Sequence, residues 1–478
     1  MIGLKSYGAY LPKYLLPREL IGKTWGFPII PGNKAVSSAD EDSITMAVEA
    51  GLDCLAGIDP KTVDGLFFAS TTQVYTEKDS ASLIATVLDF REDVITSDFT
   101  DSLKAGTTAI TRAVDTIKAN DDINSILIIA ADTRVPEPST MWEYGFADGA
   151  AALLIAKEES LPISIEDYYS ISINSTGPWK RTGTDKFTRT FEPKTDAQIY
   201  IKSITRVISE ILKRNNVEPA DIGHAAYYYN NPRLHAKVSK IIKFPQGVAQ
   251  NGLFFQIGDL GTPMPLFLLI SALKRPKNDA NVILAGFGDG ADAIFMKIQD
   301  KKQLRELSKH HVGLGYQKKM MVLKNYNVYI ENKKLLEKDR YKRKSSAIQL
   351  WRETDSVYKM YGSKCKKCGT VQYPNMIPSC FECRTTGEFE KVKLKLKGTI
   401  FTFALDHLIG GNYYDNPVPR CVVDLDDGGR LLLNMTEIEH PEENVKIGMR
   451  VELTFRRAHE GADFINYYWK CRPERGRN

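Results

Sequence analysis

Two short segments occur twice in this chain, in the same order, and that repetition limits the fold more than any other feature. DPKTVDGLFFAS (59–70) is echoed by EPADIGHAAYYYN (218–230), each a Pro-led turn running into an apolar strand, with Pro60 and Val63 matching Pro219 and Ile222. Further along, FADGAAALLIA (146–156) is echoed by FGDGADAIFMK (287–297), an Asp-Gly-Ala turn that opens another apolar strand. Two echoes in one order read as a duplication with different insertions. Strand-like runs (VDGLFFAS, SILIIAAD, AAALLIA, HAAYYYN, LFFQIGD, NVILAGFG) alternate with helical apolar spacing in DSITMAVEAGLDCLAG and IYIKSITRVISEILKRN. This alternation predicts a layered α/β domain over 1–300, with halves at about 1–157 and 158–300.

The 478 residues exceed one average core, so further domains are expected. A hydrophobic content of 43% with 26% charged residues is ordinary for a soluble globular chain. The net charge of +5 suits anionic small molecules and falls short of a nucleic-acid footprint. The opening MIGLKSYGAYLPKYLLP lacks a basic region followed by an apolar one, and no run of roughly eighteen apolar residues occurs, so a cytoplasmic protein with no membrane partner is expected. Residues 301–355 are dense in Lys and Arg with sparse apolar positions, which predicts a solvated basic helical linker rather than an anion-binding surface.

Cys365-x2-Cys368-x11-Cys380-x2-Cys383 places two knuckles at a separation that suits four thiolates on one tetrahedral Zn²⁺. With four sulfurs the coordination is closed, so a structural zinc ribbon over 356–392 is expected in preference to a reactive dithiol pair. Cys54, Cys421 and Cys471 remain as ordinary thiols. The short strands GTIFTFALDH, VPRCVVDLDD, RLLLNMTEI and RVELTFRRA, separated by Gly, Pro and Asp turns, predict a small β-barrel over 393–474. Such barrels often bind single strands through aromatics, for which Tyr413, Tyr414, Tyr467, Tyr468 and Trp469 are candidates; the acidic DLDDGG and EIEHPEEN favour a core or interface role, and no nucleic-acid partner is expected.

The duplicated domain and its turns resemble the thiolase superfamily, most closely the archaeal and bacterial type of hydroxymethylglutaryl-CoA synthase. The C-terminal part looks like the zinc-ribbon and OB-fold proteins that accompany thiolase-like acyl-CoA enzymes. The residues that carry the likeness are FADGAAALLI, GFGDGADAIF and the KCKKCG…PSCFEC…GTIFTF progression. The resemblance implies a duplicated five-layer thiolase fold, then a rubredoxin-like zinc ribbon and an OB-fold barrel, acting on a coenzyme A thioester with structural zinc. It also implies at least a homodimer, or a hetero-oligomer with a thiolase-like subunit.

Family members acylate a cysteine in a turn reading much like CKAGT; here the turn is LKAGT, with Leu103 at the cysteine and Lys104, Ala105, Gly106 and Thr107 in register. The family's HQP matches NNP, putting Asn230 in place of His, and its GN matches GD, putting Asp259 after Gly258 in place of Asn. The family's Glu falls on or near Thr71. Leucine has no nucleophilic atom, so an acyl-enzyme at 103 is excluded, and Ser102 serves only if the register slips by one. Two readings follow. One is aldol-type chemistry on a β-hydroxyacyl-CoA, with Asp259 as base, Asn230 as donor and Tyr229 or Ser102 nearby. The other is a catalytically silent partner of a thiolase or synthase. Lys180, Arg181, Lys186 and Arg189 in GPWKRTGTDKFTR suit CoA phosphates, or form an exposed basic loop. His235 is expected at the surface of a helix, while His310 and His311 lie in the basic segment.

Overall fold

The structure, a computed structural model, describes residues 1–181, 183, 185–189, 192–276, 280–311, 313, 320–336, 345–375, 377–408, 417–461 and 464–475. They form two units: Met1–Ser38 with Asp42–Leu335, and Ala39–Glu41 with Leu336–Asn478.

In unit 1 the apolar runs become β1 (Ile2–Tyr10), β2 (Tyr14–Pro17), β3 (Asn33–Val36), β4 (Gly65–Ala69), β5 (Ile95–Phe99), β6 (Ser125–Thr133), β7 (Asp148–Lys157) and β8 (Ile163–Ser172). The strands β9 (Ile222–Ala226), β10 (Asn281–Phe287), β11 (Gly290–Ile298) and β12 (Met321–Val322) follow. The helices are α1 (Arg18–Trp25), α2 (Ser43–Cys54), α3 (Ser80–Val87), α4 (Ala105–Ala119), α5 (Met141–Gly145), α6 (Pro193–Arg214), α7 (Pro232–Ile242), α8 (Met264–Leu273), α9 (Lys301–His310) and α10 (Tyr326–Asn332).

The main sheet runs β5-β4-β6-β7-β1-β8-β11-β10-β9. Read outward from its centre, β1, β7, β6 and β4 correspond to β8, β11, β10 and β9. In each half the outer pair is parallel and the inner pairs are antiparallel. The sequence echoes therefore fall on equivalent strands, and the halves meet where Gly3 and Leu4 pair with Ser164 and Ile163. Helix α8, MPLFLLISAL, is buried nearly all round because it packs on β1 and β7 of one half and β9 and β10 of the other. Helix α4 likewise touches both halves, while α2 covers the first half and α6 the second, giving the layer order helix, sheet, helix, sheet, helix.

Two expectations change. LFFQIGD is a turn and not a strand: Leu253 (φ +51°) and Gly258 (φ +86°) adopt left-handed backbone, which bends the chain toward α8. The segment from 301 to 335 is no solvated linker. Its sparse apolar residues Leu304, Leu323, Tyr326, Tyr329 and Leu335 are all buried, β12 pairs with β2, and Lys333 forms a buried ion pair with Asp148 at 2.8 Å.

Unit 2 begins with α11 (Ala347–Arg352) and α12 (Thr354–Val357), followed by β13 (Tyr361–Cys365), β14 (Val371–Gln372) and β15 (Phe389–Lys393). The latter three make the small sheet β14-β13-β15 around the cysteines. A five-stranded OB-fold barrel follows: β16 (Lys397–Asp406), β17 (Val418–Leu425), β18 (Arg430–Asn434), β19 (Arg450–Gly461) and β20 (Phe464–Pro473), ordered β18-β17-β16-β19-β20, with α13 (Pro441–Asn444) before β19. A bridge between Met435 and Cys471 brings the open edges nearly to closure. Tyr467 and Trp469 fill the barrel core, their rings 5.4 and 5.3 Å from that of Phe455; Tyr413 and Tyr414 lie outside the described residues. No helix of the described residues is long and apolar enough to cross a membrane.

Candidate active site

In α/β sheets, loops at the carboxyl ends of parallel strands collect functional side chains, and unit 1 follows that rule. The loop after β5 leads through Leu103 into α4, the loop after β6 carries Arg134, and the chain after β9 presents Tyr228, Tyr229 and Asn230. With Trp142, Pro178, Asp196, Asp259, Gly261, Pro265 and Phe287, these residues enclose a cavity of about 40 Å³. That is space for a few water-sized groups.

Leu103, Asn230 and Asp259, singled out in sequence, therefore meet at one cavity. The carboxylate of Asp259 is already engaged: its Oδ2 accepts from Arg134 Nη1 at 2.9 Å, and its Oδ1 accepts from the Gly261 N–H at 2.9 Å. Arg134 is itself sandwiched, with its guanidinium 3.4 Å from the centre of the Phe146 ring. Gly261 is required there, because a Cβ would lie 2.4 Å from an Asp132 oxygen and φ is +80°.

Ser102 does not line the cavity. Its hydroxyl donates to Gly288 O at 2.8 Å, and Gly288 packs so closely on the head of α4 that a Cβ would stand 2.7 Å from the Leu103 and Lys104 nitrogens. Helix α4 is stapled in place by Lys104, Thr107 and Thr108, which contact Asp292 at 3.1, 3.0 and 2.8 Å. Gly106 serves packing, with Thr262 O 3.0 Å from where a Cβ would sit. Thr71 is likewise outside the cavity, donating both its N–H and its hydroxyl to Asp132.

Neither His235 nor His311 lines the cavity. His235 is buried rather than superficial, because α7 turns His235, Val238 and Ile242 inward; its ring lies against Tyr227 and its Nε2 is 2.8 Å from Gln250 O. Burial pushes its pKa down. His311 sits on Asp53 O, and the side chain of His310 lies outside the described residues. Lys180 and Arg181 are exposed, and the Arg181 guanidinium forks onto Asp185 at 3.0 and 2.9 Å.

Sequence reasoning missed Asp196, Tyr228 and Arg134. Asp196, in the first turn of α6, is only 3% exposed. It accepts from Tyr229 Oη at 2.7 Å and from Ser175 Oγ at 3.3 Å, and has no cationic partner among the described residues. Burial, reinforced by the nearby charge of Asp289, raises its pKa against the pull of those hydroxyls. Tyr228 is buried with its hydroxyl unpartnered among the described residues, and burial holds that phenol well above its ordinary pKa.

In unit 2 the four sulfurs of Cys365, Cys368, Cys380 and Cys383 lie within 4.8 Å of one another. Cys365 and Cys383 are 3.7 Å apart and Cys368 and Cys380 3.6 Å apart. A tetrahedron with metal–sulfur bonds of about 2.3 Å has edges of about 3.8 Å, so the donor set fits a Zn²⁺-sized ion.

Residues 391–456 match the family described as ChsH2, C-terminal OB-fold domain. The chain is 29% identical over 319 residues to a hydroxymethylglutaryl-CoA synthase of Methanosarcina acetivorans, covering 63% of this chain and 89% of the relative. It is 27% identical over 345 residues to that of Methanopyrus kandleri, covering 70% and 98%. Among solved structures, HMG-CoA synthase complexed with CoA superposes with a TM-score of 0.62 at 19% identity, covering 72% of this chain and 92% of that one. 3-Oxoacyl-[acyl-carrier-protein] synthase III from Aquifex aeolicus gives 0.56 at 19% identity, covering 62% and 100%. The chain is thus a homologue of hydroxymethylglutaryl-CoA synthases, built on a thiolase-like fold and ending in an OB-fold domain of the ChsH2 type.

Proposed function

We propose that unit 1 binds an acyl-CoA thioester and makes or breaks the C–C bond of a β-hydroxyacyl-CoA through an enolate, with no acyl-enzyme. The observation that carries this reading is Leu103: the position facing the cavity at the head of α4 is aliphatic, while carboxylates and phenols still line the same space. Acyl transfer needs a nucleophile; aldol addition and its reverse need a base and donors for the developing oxyanion. The thioester assignment is supported by the synthase relatives and by the CoA complex among the similar folds.

Zn²⁺ at Cys365, Cys368, Cys380 and Cys383 would hold the two knuckles together and take no part in the reaction. A cytoplasmic protein acting as a dimer, or with a thiolase-like subunit, is part of this reading. One observation favours the alternative of a silent partner subunit: Asp259 and Arg134 occupy each other, leaving the proposed base of that position committed. Purified full-length protein incubated with β-hydroxyacyl-CoAs of increasing chain length should release a shorter acyl-CoA and a carbonyl compound, followed by chromatography. Turnover that arises only after a thiolase-like partner is added would support the partner-subunit reading.

A further inference from the structure

The commitment of Asp259 to Arg134 leaves the proton transfers of the proposed reaction without an owner, and another pair in the cavity lining supplies one. Asp196 and Tyr229 come from elements far apart in sequence, the first turn of α6 and the loop after β9, yet they meet at 2.7 Å on the cavity surface. Stacking fixes the phenol, with the Tyr200 ring 4.2 Å away and the Phe287 ring 6.2 Å away. A buried carboxylate held by hydroxyls, with no cation beside it among the described residues, binds a proton more readily than an ordinary carboxylate, as a general base requires. Tyr228 lines the same cavity, and its hydroxyl is a buried donor with no partner among the described residues, which a substrate oxygen would satisfy.

We propose that Asp196 is the general base of this cavity, oriented by Tyr229, and that the Tyr228 hydroxyl receives the enolate oxygen. This rests on the enolate reading above and deepens it. In the condensing direction the Asp196 carboxylate takes a proton from the carbon next to the thioester. The C–H electron pair becomes the enolate double bond, and the carbonyl π pair moves to the oxygen facing Tyr228. The enolate carbon then bonds to the carbonyl carbon of an aldehyde or ketone, whose oxygen takes the proton back from Asp196. The sum is one new C–C bond, with nothing oxidised or reduced. Asn230 lines the same cavity and is placed to donate to that second oxygen. Tyr229 is a positioning residue, since it acts through the carboxylate.

The test uses full-length protein, a β-hydroxyacyl-CoA cleavage assay and deuterium wash-in at the α-carbon of acetyl-CoA and propionyl-CoA, read by NMR. Asp196→Asn should lower both rates by about 100-fold or more, while binding of propionyl-CoA by calorimetry stays intact and the melting temperature does not fall. Tyr229→Phe removes a hydrogen bond that holds the Asp196 pKa down, so the acid limb of the rate profile should move to higher pH, an effect that lost packing alone does not produce. Asp289 also bears on this limb, while Asp259 and Arg134, which line the same cavity, stay paired. Tyr228→Phe should lower the rate without moving the limb. If Asp196→Asn fails to fold, Asp196→Glu, which keeps the carboxylate, replaces it and should retain part of the rate with an altered limb. Wild-type activity that survives in Asp196→Asn overturns the assignment and leaves the enolate reading standing. Absence of cleavage and of wash-in in the wild-type protein overturns both.

Discussion

In unit 2, the buried Glu437 carboxylate accepts from Arg456 at 2.5 Å, from Arg472 at 3.2 Å and from Arg475 at 3.0 Å. Around it Arg456 also meets Glu41 at 2.8 Å, Arg472 meets Glu452 at 2.8 Å, and Lys470 meets Asp40 at 2.6 Å. In the unit 1 cavity, Asp196 is comparably buried and, among the described residues, its carboxylate meets only hydroxyls. Burial pushes both carboxyls toward higher pKa; at Glu437 the guanidinium charges win and hold it well below its ordinary range, whereas at Asp196 burial wins. One cluster spends its charges on holding the barrel together. The other leaves a carboxylate and a phenol facing a cavity, and the proposed function rests on that asymmetry.

The contrast can be tested from its largest expected effect downward. With Zn²⁺ on the four cysteines as proposed, its removal by a strong chelator, or Cys380→Ser, should unfold the ribbon of unit 2, since structural zinc supplies on the order of 10 kcal/mol of folding free energy in small modules; circular dichroism and limited proteolysis would register it. Glu437→Gln removes the anion from a buried set of cations and should cost unit 2 about 3–5 kcal/mol in denaturant unfolding. The sign with pH follows: a carboxyl depressed in the folded state stabilises at neutral pH, and that stability is lost as pH falls through its folded pKa.

At Asp196 the sign reverses. Its folded pKa is raised, so ionised Asp196 is a cost that disappears below the ordinary carboxylate range. Asp196→Asn should therefore raise the melting temperature at pH 7 while abolishing cleavage, the trade expected of a strained functional group. The smallest effect is expected of Tyr228→Phe, which removes a buried hydroxyl with no partner among the described residues and should change stability by no more than about 1 kcal/mol in either direction while slowing the reaction.

Local pattern explains what the sequence discloses. The knuckles are legible because their sulfurs are close along the chain, and the duplicated strands because a strand covered on both faces must be apolar throughout. Leu103, Asn230 and Asp259 converge as the motif register implies. Asp196 escapes notice because an acidic residue in the first turn of an amphipathic helix reads as an ordinary partner of the helix dipole; only the fold brings Tyr229 to it. Arg134 follows a strand in ADTRVPEP without any motif of its own. The stretch 301–335 misleads for a related reason: its apolar residues are few, yet Leu304, Leu323, Tyr326, Tyr329 and Leu335 are buried, and its lysines include one ion-paired in the interior.

The central claim is that this cavity performs enolate chemistry without acylating the chain. Intact-mass measurement of the full-length protein, quenched during turnover of a β-hydroxyacyl-CoA, tests it most directly. The account predicts accumulating shorter acyl-CoA and a protein of unchanged mass; an acyl adduct on the chain, or no cleavage at all, would contradict it.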